Sequence, residues 1–338
     1  MKSKINLGII GKNFGYHVIY KSFLKNKKFK IRAFSFKSKK KILNFPKNIK
    51  IYNNWRKLIL DKKINAVAIA TPPIYHKNII KFALKHKKHI FCEKPFTTSE
   101  KEANFICNLN RKKNIANMVN YEFSEIDSFR ITKKKILKKI KVNKIYLNWF
   151  INIKNRPKKN WKENHSKGGG IMFNYICHAI YYLEVLFGKI QSVKVRNSFD
   201  EKIKSLKGEF FFTNNLSAKI NIKVGLIKKM VKPIHQLKII SDKKIYTLET
   251  DLNSLSDKFK LKEFNKNSKN KFDKILCQNE NDKNDFRINP TFLNSKKFSN
   301  WILTGKEQRP NFLDAHNVHT IINKMLLSSK KKKKLIIT

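Results

Sequence analysis

The feature that most constrains this chain is an alternation through its first 120 residues: short runs of continuous apolar residues, each followed by a stretch with helical spacing. Ile5 to Ile10 reads as a buried strand, His17 to Leu24 as the start of a helix, Phe29 to Phe36 as a second strand and Ala66 to Ala70 as a later one. An amphipathic stretch around Ile79 to Leu84 and a short strand, His89 to Cys92, follow. A strand with one face in water alternates polar and apolar residues. These runs do not, so their sheet is covered on both faces, which for strands joined through helices means a parallel, doubly wound α/β sheet. Ligands of such sheets sit at the carboxyl ends of the strands.

Beyond about residue 120 the texture changes to longer alternating runs: Lys144 to Ile153, Gly208 to Phe212, Leu216 to Val224 and Gln236 to Leu248, with one helix-like segment from Asn174 to Phe187. Strands in succession predict an α+β domain with a large, mainly antiparallel sheet. With 338 residues, about twice a typical domain, the chain divides into a nucleotide-binding type of domain over 1–120 and a second domain over 121–338. The polar stretch from Asp251 to Asp285 is either a long hairpin or a mobile loop, and the segment from about Asn311 is expected to return to the first domain.

The formal charge of +53, from 76 Lys and Arg against 23 Asp and Glu, would ordinarily suggest a polyanionic partner. Here the excess is spread over the whole chain and carried mostly by lysine, beside abundant Asn, Ile and Phe. All four are encoded by A/T-rich codons, so base composition accounts for the set. The dense runs, Lys133 to Lys135 and Lys330 to Lys334, lack the interleaved aromatics of a single-strand stacking surface, and no specific nucleic-acid partner is expected. No apolar run reaches the roughly 18 residues of a membrane span, and the opening residues lack a cleavage site, so a soluble cytoplasmic protein is expected. Cys92, Cys107, Cys177 and Cys277 are scattered without metal-ligand spacing, which predicts reduced thiols and no metal.

The first turn reads Gly8-Ile9-Ile10-Gly11-Lys12-Asn13-Phe14-Gly15. In a dinucleotide site the first glycine makes the tight turn, the second admits the pyrophosphate to the backbone, and the third lets the helix pack closely on the strand. Gly11 falls in that register. Asn13 takes the second place, where Asn tolerates a left-handed backbone, and Tyr16 takes the third, with Gly15 one residue short of it. An ordinary strand-to-helix turn would read similarly. The end of strand two, Ser35-Phe36-Lys37-Ser38-Lys39, offers Ser35, Lys37 and Ser38 as ligand contacts and no acid for a ribose 2'-hydroxyl, which favours NADP(H) over NAD(H).

The next string is more specific: Ala66-Val67-Ala68-Ile69-Ala70-Thr71-Pro72-Pro73, then His76, then His89-Ile90-Phe91-Cys92-Glu93-Lys94-Pro95. It is joined by Gly168-Gly169-Gly170 with His178 eight residues on, by Trp149 and Trp161, and by Arg309-Pro310-Asn311-Phe312-Leu313-Asp314. Together these resemble the Gfo/Idh/MocA family, named for glucose-fructose oxidoreductase and inositol dehydrogenase. The resemblance implies a Rossmann domain followed by a domain with an open sheet whose free face makes a homodimer or homotetramer. It also implies hydride transfer between nicotinamide and a secondary alcohol or ketone of a sugar, sugar nucleotide or cyclitol.

By that resemblance Thr71, Pro72, His76, Glu93 and Lys94 contact the dinucleotide, and Lys94 hydrogen-bonds the reacting oxygen. A lysine partly withdrawn from water gives up its proton more easily, which suits that place. The family often has a cis bond before this proline, which would aim the lysine inward. Asn174 and His178 are four apart on a helix and share a face. The family pairs an Asp with a His there, the His serving as acid/base, a task its ordinary pKa near 6.5 suits. Asn174 replaces the Asp, Ile176 a glycine and Tyr181 a further Asp; an amide orients by hydrogen bonds but cannot stabilise an imidazolium as an anion does. Asn120, Tyr121, Arg156 and Trp161 match stretches that approach the substrate, though Trp and Tyr serve equally as core. The rival reading is a dinucleotide-binding relative with weak catalysis, acting as a sensor or partner protein.

Overall fold

The computed structural model describes residues 4–36, 45–111, 113, 115–152, 161–164, 167–199, 203–225, 234–250, 259–266, 274–278 and 285–337. The chain forms two units, one of Met1–Glu122, Trp161–Asn174 and Asp282–His319, the other of Phe123–Asn160, Tyr175–Asn281 and Thr320–Thr338.

In the first unit β1 (Ile5–Ile10) leads through a wide helical turn, Gly15–Tyr20, into α1 (Lys21–Leu24). Then come β2 (Phe29–Ser35), β3 (Lys50–Tyr52), α2 (Trp55–Leu60), β4 (Ala66–Ile69), α3 (His76–Lys85), β5 (His89–Cys92), α4 (Glu100–Arg111) and β6 (Asn117–Val119). The six strands are parallel, in the order β3-β2-β1-β4-β5-β6. The order reverses between β1 and β4, and this switch point is where the ends of two neighbouring strands leave a crevice. All four residues of β4 are buried, as the unbroken apolar run requires. Helix α3 turns His76, Ile79, Ile80, Ala83 and Leu84 inward at three- and four-residue spacing.

In the second unit α5 (Asp127–Ile131), β7 (Val142–Asn152) and α6 (Cys177–Phe187) are followed by β8 (Ile190–Phe199), β9 (Ile203–Phe212), β10 (Ser217–Gly225), β11 (Ile234–Ser241), β12 (Lys244–Thr250), β13 (Phe259–Asn265) and β14 (Lys274–Gln278). The chain then returns to the first unit as α7 (Ile288–Thr304), continues as α8 (Phe312–Lys331), and ends in β15 (Leu335–Ile336). The nine strands run in the order β14-β13-β12-β11-β7-β10-β9-β8-β15, antiparallel except where β7 meets β10. In β11 His235, Leu237, Ile239 and Ser241 are buried in strict alternation, one face in and one face out. The outer face over β8, β9 and β10 carries Lys194, Arg196, Lys207 and Lys219 around a shallow hollow of about 540 Å3.

Two readings change. The run from Gln236 to Leu248 is two strands, because Ser241 Oγ donates to the Lys244 carbonyl and accepts from the Lys244 amide, closing a turn without Gly or Pro. The return to the first unit starts at Asp282, upstream of Asn311, since α7 supplies Phe298 and Trp301 to the first core. Phe298 stacks on Phe29 at 6.0 Å between centroids and lies 5.8 Å from Phe91. The described part of Asp251 to Asp285 contains the antiparallel pair β13 and β14. No described helix is long and apolar enough to cross a membrane. Replacing Phe298 by Ala leaves a cavity in a fully buried site and should cost the first unit about 3–5 kcal/mol, read as a lower urea midpoint; an unchanged midpoint would show that α7 is not part of that core.

Candidate active site

Three strand ends meet at the switch point. Past β1, Gly11 has φ +119°, and a Cβ there would run into the Ala70 carbonyl oxygen. Its amide donates to the Ser35 carbonyl at 2.9 Å, and Ala70 N donates to the Ile10 carbonyl at 2.7 Å, so the ends of β1, β2 and β4 are tied together. A Cβ on Gly15 would come within 3.2 Å of Ile9 Cγ2 and 3.6 Å of Ala70 Cβ, so a glycine here lets helix and strand pack closely without displacing Ile9. The close helix-to-strand contact thus falls to position 15, and Tyr16 stacks on Tyr20 instead. Asn13 is exposed in the first helical turn and is not among the residues with positive φ, so the backbone does not ask for glycine there.

At the end of β4, Thr71 Oγ1 is buried without a hydrogen-bond partner among the described residues. Pro72 caps a short turn, Pro73–Tyr75. His76 is wholly buried, with Nε2 2.7 Å from the Thr71 carbonyl and Nδ1 3.1 Å from the Phe96 carbonyl. Burial lowers its pKa and holds the ring neutral, with one N–H. A proton on Nε2 donates to Thr71 and leaves Nδ1 to face the Cys92 thiol at 3.4 Å. His76 therefore braces Thr71 from behind. A Cβ on Gly168, which has φ +78°, would come within 2.9 Å of Pro73 Cβ, and one on Gly169 would strike the Trp161 carbonyl, so the glycine run lies close to this turn on one side and to Trp161 on the other.

Past β5 come Glu93, Lys94 and Pro95, joined by a cis Lys94–Pro95 bond. Lys94 Nζ donates to the Asn174 carbonyl at 3.1 Å, while the Asn174 amide donates to the Lys162 carbonyl at 2.6 Å. Glu93 is buried and accepts from Asn120 Nδ2 at 2.7 Å. Asn120 is itself fixed, donating to Thr291 Oγ1 at 3.0 Å and accepting from Asn294 Nδ2 at 3.0 Å. With no exposed surface, Asn120 holds Glu93 in place, and Tyr121 beside it is buried as well.

Glu122, Arg287 and Asp285 complete the cluster and were not singled out in the sequence, where a background of 76 cations hides one functional arginine. Arg287 forks onto Asp285 through Nε at 2.9 Å and Nη2 at 2.6 Å, and its guanidinium lies 4.9 Å from the ring centre of Phe14. Burial and repulsion from Glu122 push the Glu93 carboxyl up to about 8, against the Asn120 bond, Lys94 and Arg287. Burial also raises Glu122, against Lys94 and Arg287.

In the second unit His178 is buried on α6 with its ring centre 4.6 Å from Phe123. His235 stacks on Trp149 at 3.9 Å and 9°, with Nε2 3.0 Å from the Tyr182 hydroxyl. Burial drives its pKa down to about 3, so it is neutral. Lys37, Ser38 and Arg156 lie outside the described residues.

The chain matches the family model described as "Oxidoreductase family, NAD-binding Rossmann fold" over residues 5–121 and that described as "Oxidoreductase family, C-terminal alpha/beta domain" over residues 133–334. It belongs to the Gfo/Idh/MocA oxidoreductase family. Among relatives, an uncharacterised oxidoreductase of Schizosaccharomyces pombe is 30% identical over 168 residues, 49% of this chain and 45% of that protein. Levoglucosan dehydrogenase of Pseudarthrobacter phenanthrenivorans is 34% identical over 84 residues, 25% of this chain and 22% of that protein. The chain thus spans less than half the length of these relatives. A solved structure of levoglucosan dehydrogenase in complex with NADH shares the fold, with TM-score 0.80 and 17% identity over 99% of this chain and 100% of that one.

The residues of this Gfo/Idh/MocA protein fit the dinucleotide its Rossmann domain implies. The buried Thr71 hydroxyl lacks a partner among the described residues at the strand end a ligand would meet, beside the turn that Gly11 draws tight against the Ala70 carbonyl. The raised Glu93 pKa has a consequence for stability. An acid whose folded pKa exceeds its unfolded value stabilises the fold below the unfolded pKa, near 4.5, and that contribution is lost as pH rises toward 8. Glu93→Gln, with no charge to bury, should match the parent in thermal stability near pH 5 and exceed it by several degrees at pH 8.5; a constant difference across that range would contradict the assignment.

Proposed function

We propose that this protein is an NAD(P)-dependent oxidoreductase that moves a hydride between nicotinamide and a secondary alcohol or ketone of a sugar, sugar nucleotide or cyclitol. The observation that carries the reading is Lys94: an ammonium group at the carboxyl end of β5, its Nζ held by the Asn174 carbonyl, in the unit that carries the Gly11 turn. A bound nicotinamide supplies or accepts the hydride. Lys94 donates a hydrogen bond to the reacting oxygen, His178 takes or returns the hydroxyl proton, and Asn174 orients the substrate. Gly11, Asn13, Phe14 and Gly15 line the dinucleotide at β1, with Ser35 at β2, Thr71 and Pro72 at β4, and Glu93 at β5. His76 and Asn120 act through the groups they brace. The relative named levoglucosan dehydrogenase supports a polyhydroxylated substrate.

Turnover with a panel of polyols and sugars tests this. Lys94→Met should lower kcat/KM by about 10²–10³-fold and His178→Ala by about 10²–10⁴-fold; full activity in both would refute the roles. NADP(H) is proposed over NAD(H), because no acid follows β2 and Lys12 lies 5.4 Å over the Phe36 ring at that strand end. A higher kcat/KM with NADH than with NADPH would reverse that choice.

A second reading, weak catalysis with a sensing or partner role, rests on the Asn174 amide: it is engaged with the Lys162 carbonyl, a bond an aspartate could not donate. Turnover that rises in Asn174→Asp would favour it.

We place the protein in the cytoplasm, acting on a small molecule without a specific nucleic-acid or membrane partner, and as a homodimer or homotetramer through the open sheet. Lys194, Arg196, Lys207 and Lys219 repel their copies across such an interface. Association should therefore tighten between about 50 and 500 mM salt, where screening shortens; weakening with salt in sedimentation would place the interface elsewhere.

A further inference from the structure

Glu93 and Glu122 leave water together, at 6% and 2% exposure, at the ends of β5 and β6. Asn120 pins Glu93 and is pinned in turn by Thr291 and Asn294, so the carboxyl cannot swing out to be solvated. The charged groups facing the pair are Lys94, reaching Glu93 and Glu122, and Arg287, which reaches both and is forked onto Asp285; exposed His17 faces Asp285 only. Two cations thus stand among three acids. Like charges this deeply buried do not ionise together, and a single retained proton makes the cluster neutral, two positive against two negative. A third positive charge added beside Lys94 changes the count: three against three is neutral only when the pair has given its proton up.

We infer that the Glu93–Glu122 carboxyl pair is a one-proton site coupled to the charge of the cofactor, releasing its proton when the cationic, oxidised nicotinamide binds and keeping it when the uncharged, reduced ring binds. The inference rests on the proposed function, which puts nicotinamide beside Lys94. Glu122 is then a positioning residue for charge: it makes Glu93 retain the proton in the empty and reduced states and lets the cluster absorb the ring's positive charge in the oxidised one. The proton goes to solvent and no covalent bond changes. The raised pKa of both groups, caused chiefly by burial, is consistent with a proton held near neutrality. By linkage, affinity for the oxidised form rises with pH while affinity for the reduced form does not, by at most about tenfold per pH unit for one proton.

Calorimetric titration of the full chain with NADP+, NAD+, NADPH and NADH at pH 7, in buffers of different ionisation enthalpy, reads the proton directly. The expected result is release approaching one proton per site for the oxidised forms and none for the reduced forms, with the oxidised-form release lost in Glu122→Gln. Glu93→Gln serves the same purpose should Glu122→Gln not fold. Binding without proton release, equal release for both redox states, or release that survives in these variants would overturn the inference while leaving dinucleotide binding intact. Failure of all four nucleotides to bind saturably would overturn the proposed function, and this inference with it.

Discussion

The ends of β1 and β4 approach so closely that only a glycine fits between them. Gly11 takes a backbone conformation that side chains avoid, its amide reaches the Ser35 carbonyl, and the Ala70 carbonyl stands where a Cβ would be. Every strand end that matters to the site is placed relative to this contact: Ser35 on one side, Thr71 on the other, and the Glu93-Lys94-Pro95 segment one strand further. A parallel sheet makes this possible because its carboxyl ends all face one way, so side chains far apart in sequence converge on one edge.

Behind that edge lies a layer that fixes its side chains. His76 donates to the Thr71 carbonyl from behind, and Asn120 ties Glu93 to α7. Both are polar residues with no access to solvent, which persist in a core because their hydrogen bonds are made inside the protein. The charged groups follow the same rule with more at stake. Lys94 and Arg287 stand among Glu93, Glu122 and Asp285, and one proton kept by the glutamate pair balances the cluster in a setting where an unpaired charge would be costly.

Much of this was legible in the sequence. The strands β1, β4 and β5 were visible because a sheet covered on both faces needs uninterrupted apolar runs, and His89 to Cys92 is a strand to the residue. Strand β3 was hidden: it has three residues, two of them exposed, and no apolar run to mark it. The turn between β11 and β12 was missed because Ser241 closes it with side-chain bonds where Gly or Pro would have signalled it. The positions of His76 and Asn120 were evident from the resemblance, but the bracing role of Asn120 depends on Thr291 and Asn294, contacts that no local pattern announces. Arg287 was invisible for a statistical reason, one cation among 76, and gains meaning only from Asp285, Phe14 and the buried glutamates around it.

The central claim is that the turn at Gly11, despite Asn13 and Tyr16 at the usual glycine places, still forms a dinucleotide site. Titration with NADPH and NADH followed by fluorescence at physiological salt, with ATP as a control for indiscriminate phosphate binding by so basic a chain, tests it most directly. The account predicts saturable binding of a dinucleotide that ATP does not mimic; no binding, or binding equal to that of ATP, would contradict it.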